Sequence, residues 1–438
     1  MTAGTAFFIM FFLLLGLILL RVPVSFALAF AVIPVLIMTP AVGPVMLLQR
    51  MMIQFGSFIL LAIPFFILAA NIMNAAGITD QLMRFSQSIV GFLPGGTGHV
   101  NVLVSMIFAG ISGSSNADAA GIGSVIIPAM VKEGYDVNFA VAVTACSAVM
   151  GVIIPPSILM VVWGGTLNVS VGGLFLAGFA PGVLIGLLQM GVVLIYAYKR
   201  KYPRKARFSI KEVWGSLQTS VLALITPVII IGGIVGGFVT PTEASLIAVI
   251  YAIIVSMFVF RTVTVKSFLN LLLHTMRLSS VVLFAVGTAA IYAWVMAFYK
   301  IPDFLVAAVG ALTTSPQVML MIIVGIFLIV GMFIDGTPAI IIFAPLLRPL
   351  ADSVGVHPLH FAIVGCVSVA YGLVTPPYGL CLLITSKIAK INCIQPLREV
   401  LAFLGVMFFV LILMIFIPEI TLFIPRLFMP EIFGLIPK

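Results

Sequence analysis

The chain contains 438 residues, of which 63% are hydrophobic and 8% are charged. Soluble domains carry about 25% charged residues, so this composition excludes a soluble enzyme, a nucleic-acid-binding protein and a disordered scaffold. The lipid bilayer is therefore the solvent in which this chain folds, and the formal net charge of +9 has to be interpreted through the loops between apolar segments.

Ten apolar segments are long enough to cross the hydrocarbon core, which takes about 20 residues per helix. Two further apolar stretches, 88–130 and 316–350, are interrupted by polar and glycine residues. We expect each of them to enter and leave the membrane on one side. In chain order, the ten predicted spans are centred on 5–20, 24–38, 57–75, 138–165, 173–198, 217–238, 244–260, 278–298, 360–386 and 400–420.

The basic residues predict the orientation of this all-α polytopic membrane protein. Ten spans place both termini on one side, and Lys and Arg accumulate in cytoplasmic loops. With the N-terminus outside, the cytoplasmic loops receive 16 of the 21 basic residues, including a cluster at 199–216 that we interpret as a linker with an interfacial helix. The five on the outside are Arg50, Lys300, Arg348, Arg426 and Lys438.

The two halves of the chain match at a shift of 221 positions. Gly110 corresponds to Gly331, and Pro155-Pro156 corresponds to Pro376-Pro377. Each half then has three spans, one interrupted stretch, one span with a central Pro-Pro pair and a final span. Because five spans per half is an odd number, the second half is predicted to be inverted, as in secondary transporters.

The Pro-Pro pairs predict interrupted helices with unpaired carbonyl groups. Proline lacks an N–H group and clashes with the carbonyl four residues earlier. Pro155 and Pro156 are therefore expected to free the carbonyls of Gly151 and Val152, and Pro376 and Pro377 those of Gly372 and Leu373. Sodium takes oxygen ligands from unwound carbonyls in transporters. Two pseudo-symmetric Na⁺ sites follow as a hypothesis, although water could satisfy the same carbonyls.

The interrupted stretches are predicted to form re-entrant helical hairpins with polar tips. Ser115, Asn116 or Asp118 is expected to cap the second arm of the first hairpin, and Asp335 that of the second. Helix N-termini near the membrane centre suit a carboxylate substrate. Asp118 and Asp335 are either functional carboxylates or structural caps, and a proton-coupled mechanism that uses them remains an alternative.

Several chemical classes are excluded or weakened by missing motifs. The sequence has no GxxxxGK[ST] motif, so ATP does not power transport through this chain. It also lacks GxSxG and HExxH, which weighs against the alternative of an intramembrane enzyme. The four histidines fall at segment ends, where we expect surface or interface roles.

The chain resembles the large membrane subunit (M-type) of tripartite ATP-independent periplasmic (TRAP) transporters over essentially its whole length. The motifs that carry the resemblance are Gly-Ile-Ser-Gly-Ser-Ser-x-Ala-Asp-Ala at 110–119, Thr-Pro-Thr-Glu-Ala at 240–244, Gly-Met-Phe-Ile-Asp at 331–335 and Val-Thr-Pro-Pro-Tyr-Gly at 374–379.

This resemblance implies an elevator mechanism in the bacterial cell inner membrane, with N- and C-termini in the periplasm. It implies Na⁺-driven uptake of an organic acid, such as sialic acid or a C4-dicarboxylate. It also implies two partners: a small four-helix membrane subunit, expected here as a separate polypeptide, and a periplasmic substrate-binding protein. A stand-alone sodium- or proton-coupled carboxylate symporter of a related elevator family is the alternative.

The resemblance also implies the ligands of both Na⁺ sites. It further places the substrate between the hairpin tips. Mapped onto this chain, the first Na⁺ site comprises Ser112, Ser115, Gly151, Ile154 and Pro156; the second comprises Gly331, Gly372, Thr375 and Tyr378; and the substrate contacts are Ser114, Asn116, Asp118, Asp335 and Thr337.

These predictions divide the chain into consecutive regions. The first repeat is 1–198, the basic linker 199–216, the second repeat 217–425 and the C-terminal tail 426–438.

Overall fold

The computed structural model describes residues 2–20, 22–38, 43–204, 208–310, 313–376 and 379–434. In these ranges the chain forms twenty α-helices with short 3₁₀ and π segments, and no strand. The first ten helices are α1 (Ala3–Leu19), α2 (Val24–Ile37), α3 (Pro44–Phe55), α4 (Ala62–Ala75), α5 (Ile78–Val90), α6 (Gly96–Ser112), α7 (Ser115–Lys132), α8 (Val137–Ala148), α9 (Ile158–Leu167) and α10 (Val171–Arg200). The second ten are α11 (Ile210–Val235), α12 (Pro241–Ile254), α13 (Val265–Phe298), α14 (Ile301–Gly310), α15 (Pro316–Phe333), α16 (Gly336–Ser353), α17 (Pro358–Gly372), α18 (Leu380–Ala389), α19 (Leu397–Phe416) and α20 (Glu419–Phe428).

Seven helical segments of the described chain are long and apolar enough to cross a membrane, which makes this a multi-pass membrane protein. Six of them coincide with predicted spans, and the seventh is α15, which was predicted as a hairpin arm. The other four predicted spans are shorter or divided. Helices α1 and α2 have 17 and 14 residues, and the spans predicted at 138–165 and 360–386 are each split into two helices.

Both divided spans are interrupted at a Pro-Pro pair. Helix α8 passes into the 3₁₀ turn Val149–Val152, and α9 begins only at Ile158, after Ser157 caps its first turn. In the second half, α17 ends at Gly372 and α18 begins at Leu380. Pro377 lies outside the described residues, so the proline argument is tested structurally at Pro155, Pro156 and Pro376.

Each interrupted stretch folds into two helices that pack against each other, α6 with α7 and α15 with α16. The first pair turns at Gly113, whose φ of +64° belongs to the left-handed region that favours glycine. The second pair turns at Ile334 and Asp335, which are both extended. The first hairpin begins at Gly96 and not near residue 88, because residues 88–90 complete α5 before Pro94 and Gly95.

The helix boundaries recur at the shift found in the sequence. Ser115 and Gly336, which begin α7 and α16, are separated by 221 positions (336 minus 115). Val137 and Pro358, which begin α8 and α17, have the same separation. Two helix starts in each half therefore recur in the same order and at the same spacing.

The helices pack as two groups. The frame group contains α1–α5 and α11–α14, with α13 packed on α2, α3 and α4. The hairpin group contains α6–α10 and α15–α20, with α17 packed on α15 and α16 and with α18 packed on α7 and α8. The groups meet where α5 and α4 contact α6, where α4 contacts α9, and where α13 and α14 contact α16.

Three expectations from the sequence are corrected. In the described part of 199–216, α10 continues to Arg200 and α11 begins at Ile210 and runs on to Val235, so residues 210–216 belong to a long helix instead of a separate interfacial one. His99 and His360 are buried instead of lying at a surface. Four short helices with charged residues, α3, α5, α14 and α20, were missed because the search looked for long apolar runs.

Candidate functional site

The tip of the first hairpin presents three serines around Gly113. Ser112 ends α6, Ser114 is the N-cap of α7, and Ser115 is its first residue. The Ser114 hydroxyl accepts a hydrogen bond from the Ala117 N–H at 3.4 Å, so Ser114 makes the cap that we had assigned to Ser115, Asn116 or Asp118. The Ser115 hydroxyl donates to the carbonyl of Val149 at 3.2 Å, which ties the hairpin to the interrupted helix.

The first interrupted helix lies directly against this tip. A side-chain carbon at Gly151 would collide with the Asp118 carboxylate and approach the Ser114 carbonyl carbon to 3.0 Å. A side chain at Gly113 would meet the carbonyl oxygen of Pro156 at 3.0 Å. The structure therefore brings Gly151 and Pro156 to the tip, and Ile154 lies between them in the non-helical stretch before α9.

Asp118 is fully buried beside Gly151. The Ser112 hydroxyl lies close to this carboxylate, yet neither carboxylate oxygen makes a hydrogen bond of acceptable geometry. Burying a carboxylate without a partner costs several kcal/mol, as a rough estimate. A proton, a cation or an ordered water at this position would offset that cost.

At Gly331 and Gly372, the second hairpin and its interrupted helix approach each other through their backbones. A side-chain carbon at Gly372 would collide with the backbone of Gly331 and would lie 2.8 Å from the Met332 nitrogen. The Thr375 hydroxyl donates to the Tyr371 carbonyl at 2.7 Å. Gly331, Gly372 and Thr375 thus belong to one region, while Tyr378 lies outside the described residues.

The prediction of freed carbonyls is wrong at three of its four positions, namely Val152, Gly372 and Leu373. The Gly372 carbonyl accepts a hydrogen bond from the Thr375 N–H at 3.1 Å, because the chain forms a tight turn after α17. Two neighbouring carbonyls are satisfied in a similar way: Ser157 donates to Val152 at 2.7 Å, and the Cys381 N–H donates to Leu373 at 3.0 Å. A carbonyl oxygen has two lone pairs. The Gly372 oxygen uses one of them in the hydrogen bond with the Thr375 N–H, and its second lone pair is available to bind a cation.

The two hairpin tips touch each other. The Asn116 side-chain amide donates to the Asp335 carboxylate at 2.9 Å, and the Cys381 thiol donates to the Asn116 side-chain carbonyl at 3.5 Å. Asp335 is the N-cap residue of α16. The predicted substrate residues Asn116 and Asp335 therefore form a bridge between the first and second hairpins.

A cavity of about 740 Å³ opens beside this bridge, between the hairpin group and the frame group. Ser114, Asn116, Asp335 and Thr337 line it, as predicted for substrate contacts, and so do Ser112 and Ser115. Asp118 is the exception, since it faces Gly151 behind the hairpin tip.

The opposite wall comes from the frame group and was missed by sequence reasoning. Asn71, Asn74 and His274 line the cavity from α4 and α13, and the Asn71 amide donates to the Thr275 hydroxyl at 3.0 Å. The sequence does contain one signal for this wall, because Asn71 and Asn74 are polar residues within the otherwise apolar helix α4. Among the described residues that line the cavity, none is Lys or Arg.

Interrupted helices and helical hairpins that surround a polar cavity within a multi-pass bundle define a membrane transporter of the permease class. The family model described as "Tripartite ATP-independent periplasmic transporter, DctM component" matches residues 10–420. The chain therefore belongs to the DctM family of large TRAP permease subunits.

Individual relatives and one solved structure agree with this assignment. The chain is 37% identical to the sialic acid TRAP transporter large permease protein SiaM of Vibrio cholerae, over 95% of this chain and 97% of that protein. It is 33% identical to the C4-dicarboxylate TRAP transporter large permease protein DctM of the same organism, over 97% and 98% of the two chains. The YdaH transporter of Alcanivorax borkumensis shares the fold, with a TM-score of 0.52 and 16% identity over 80% of this chain and 85% of that one.

Proposed function

We propose that this chain carries an organic acid into the cell by symport with Na⁺. The observation that carries the proposal is the buried Asp118 carboxylate, which has no hydrogen-bond partner and lies where the first hairpin meets its interrupted helix. A cation held by Ser112, Ser115, Asp118 and the carbonyls of Gly151, Ile154 and Pro156 would neutralise it. A second Na⁺ is proposed at Gly331, Gly372, Thr375 and Tyr378.

The substrate is proposed to bind in the cavity beside Asn116, Asp335 and Thr337. The relatives named above transport sialic acid or C4-dicarboxylates according to their names, which supports a carboxylate as the substrate class. The lining that the structure describes has no Lys or Arg, so the bound Na⁺ ions and the N-termini of α7 and α16 would compensate the anion. Two Na⁺ with a monoanion move one net charge inward, which releases about 2.3 kcal/mol per 100 mV.

The recurring helix boundaries support two inverted repeats, and the two packing groups support an elevator mechanism. In this proposal the hairpin group moves with its cargo while the frame group stays fixed. The cavity follows the hairpin arm α7 to Ala120 and Gly121 and is bounded by His274 of α13. In the predicted orientation these residues lie toward the cytoplasm, so the structure would correspond to the inward-open state.

The proposed assembly contains three polypeptides in and on the bacterial inner membrane. A separate small four-helix subunit would extend the frame group, and a periplasmic binding protein would deliver the substrate. The predicted periplasmic termini agree with the cytoplasmic concentration of basic residues. This assignment rests on the family, since the small subunits and binding proteins define a tripartite system.

Uptake into proteoliposomes tests the proposal. The chain is reconstituted with the small subunit and driven by a Na⁺ gradient, with the binding protein present or absent and with choline replacing Na⁺ in a parallel series. We expect uptake only when both partners and Na⁺ are present. Robust uptake by this chain alone would support the stand-alone symporter instead, and uptake driven by a pH gradient in choline would support proton coupling.

A further inference from the structure

A column of buried polar side chains joins the first hairpin to the first interrupted helix. The Asn101 amide of α6 donates to the Thr144 hydroxyl of α8 at 2.7 Å and accepts from the Ser147 hydroxyl at 3.3 Å. One turn further along α6, the Ser105 and Ser147 hydroxyls lie 2.9 Å apart. All four side chains are at most 1% exposed. The site predicted from the sequence uses none of them.

The column leads to the proposed first cation site. Two polar pairs follow one another along α6 and α8. The first is Asn101 with Thr144, and the second is Ser105 with Ser147. Beyond Ser147, one helical turn leads to Gly151; beyond Ser105, two turns lead to Ser112. The Ser115–Val149 hydrogen bond joins the same two elements at the tip.

The geometry makes the relative position of these two helices important. A cation at the tip would take ligands from both the hairpin and the interrupted helix, and a shift of one residue along a helix moves every ligand by about 1.5 Å. Metal–ligand distances tolerate only about 0.2 Å. Apolar side chains fix such a register poorly in a membrane, because lipid is as apolar as the helices. Directional hydrogen bonds between two helices hold them in one register.

We propose that Asn101 is a positioning residue that sets the register between α6 and α8 and so holds the two halves of the first cation site together. Its carboxamide is suited to this role because it donates to Thr144 and accepts from Ser147 at the same time. The inference rests on the proposed function, since it assigns Asn101 to the Na⁺ site near Gly151.

The test replaces Asn101 with leucine, which has nearly the same volume and forms no hydrogen bonds. The complex with the small subunit is purified, and its melting temperature is followed as NaCl replaces choline chloride at constant ionic strength. Half-maximal Na⁺ for substrate uptake is measured in parallel. We expect Asn101→Leu to raise both half-saturating Na⁺ concentrations by about fivefold or more, while the maximal uptake rate at saturating Na⁺ changes less.

Gln189→Leu is the matched control. Gln189 is a fully buried amide on α10 that donates to the Cys146 carbonyl of α8 at 2.9 Å, but it does not join the hairpin to α8. We expect it to lower the melting temperature without changing half-saturating Na⁺. In the triple variant Asn101→Leu/Thr144→Val/Ser147→Ala, the hydroxyls that paired with the Asn101 amide are removed together with it, so part of the lost stability should return, while the Na⁺ defect remains because the register is still unspecified.

Each outcome of these measurements supports or overturns the proposed role of Asn101. If Asn101→Leu and Gln189→Leu both lower stability and leave half-saturating Na⁺ unchanged, Asn101 is purely structural and the proposal is overturned. If Asn101→Leu does not fold, Ser105→Ala removes one hydrogen bond of the column, and an unchanged half-saturation would reject the proposal, whereas an increase of about twofold would support it. If the melting temperature and the uptake rate of the unsubstituted complex are both independent of Na⁺, the proposed function itself is refuted.

Discussion

The two hairpin–helix junctions follow one backbone plan but differ in chemistry. At the first junction, the Asp118 carboxyl group faces Gly151, the Ser112 hydroxyl lies close to that carboxyl group, and the Ser115 hydroxyl donates to the Val149 carbonyl. At the second, the backbones of Gly331 and Gly372 touch, and Thr375 uses its hydroxyl to pair with a carbonyl of its own turn. The first junction thus contains an ionisable carboxyl group, whereas the second offers mainly carbonyl dipoles.

This difference predicts unequal roles for two bound cations. A carboxylate attracts Na⁺ more strongly than a carbonyl dipole, so the first site should bind more tightly. The second site depends on the close approach of two backbones. A side chain larger than that of glycine at this contact should therefore disrupt its geometry more easily. Substitutions at the two junctions should therefore fail in different ways.

The largest effect is expected for Gly372→Ala. The new methyl group would collide with the Gly331 backbone and force α17 away from α15. Such overpacking typically costs about 1–3 kcal/mol, and we expect Na⁺-dependent uptake to fall by at least about tenfold. Gly325→Ala on α15 is the control, because a methyl group there meets nothing within 4 Å. Uptake that is equally fast in both variants would contradict the contact between the two backbones.

A smaller and more specific effect is expected for Asp118→Asn. This substitution keeps the shape of the side chain and removes the charge next to Gly151. Half-saturating Na⁺ should rise on the order of tenfold, or about 1.4 kcal/mol, and the dependence of uptake on Na⁺ should become less steep. Asp80→Asn on the exposed side of α5 is the control. A variant that binds Na⁺ normally but loses its response to pH would show that Asp118 carries a proton.

The bridge between the junctions is tested by Asn116→Asp. The change places a second carboxylate 2.9 Å from Asp335, where like charges repel. We expect the KM for the substrate-loaded binding protein to rise several-fold, on the order of 1 kcal/mol. Asn116→Ala removes the bridge without adding charge and should have a milder effect. Equal KM values for the two variants would show that the bridge does not contribute to substrate capture.

Much of the fold could be predicted from the sequence because its main signals are local. Apolar length gave six of the seven long helices, and the Pro-Pro pairs gave the positions where α8 and α17 end. The short helices α3 and α5 were missed because charged residues such as Arg50 and Arg84 interrupt their apolar faces. Local composition does not show that such a face is still covered by other helices.

The candidate site was predicted less completely because parts of it depend on tertiary contacts. The position of Ser112 and Ser115 beside the first break follows from motif order, whereas the wall formed by Asn71 and His274 comes from helices distant in sequence. The hydrogen bond from Thr375 to the Gly372 carbonyl was missed because the proline rule counts lost helical bonds. It does not count the bonds that a new turn supplies.

The smallest effect is expected for Thr375→Val at the second junction. The Thr375 hydroxyl already pairs with the Tyr371 carbonyl, and valine keeps the shape while removing that bond. Because a neutral hydrogen bond contributes about 1 kcal/mol, half-saturating Na⁺ should rise by less than about fivefold if the hydroxyl also contacts the ion. Thr375→Ser restores the hydroxyl and should recover the original value. A loss as large as that of Gly372→Ala would mean that the second site depends on this side chain as strongly as on the glycine contact, and the contrast between the two junctions would disappear.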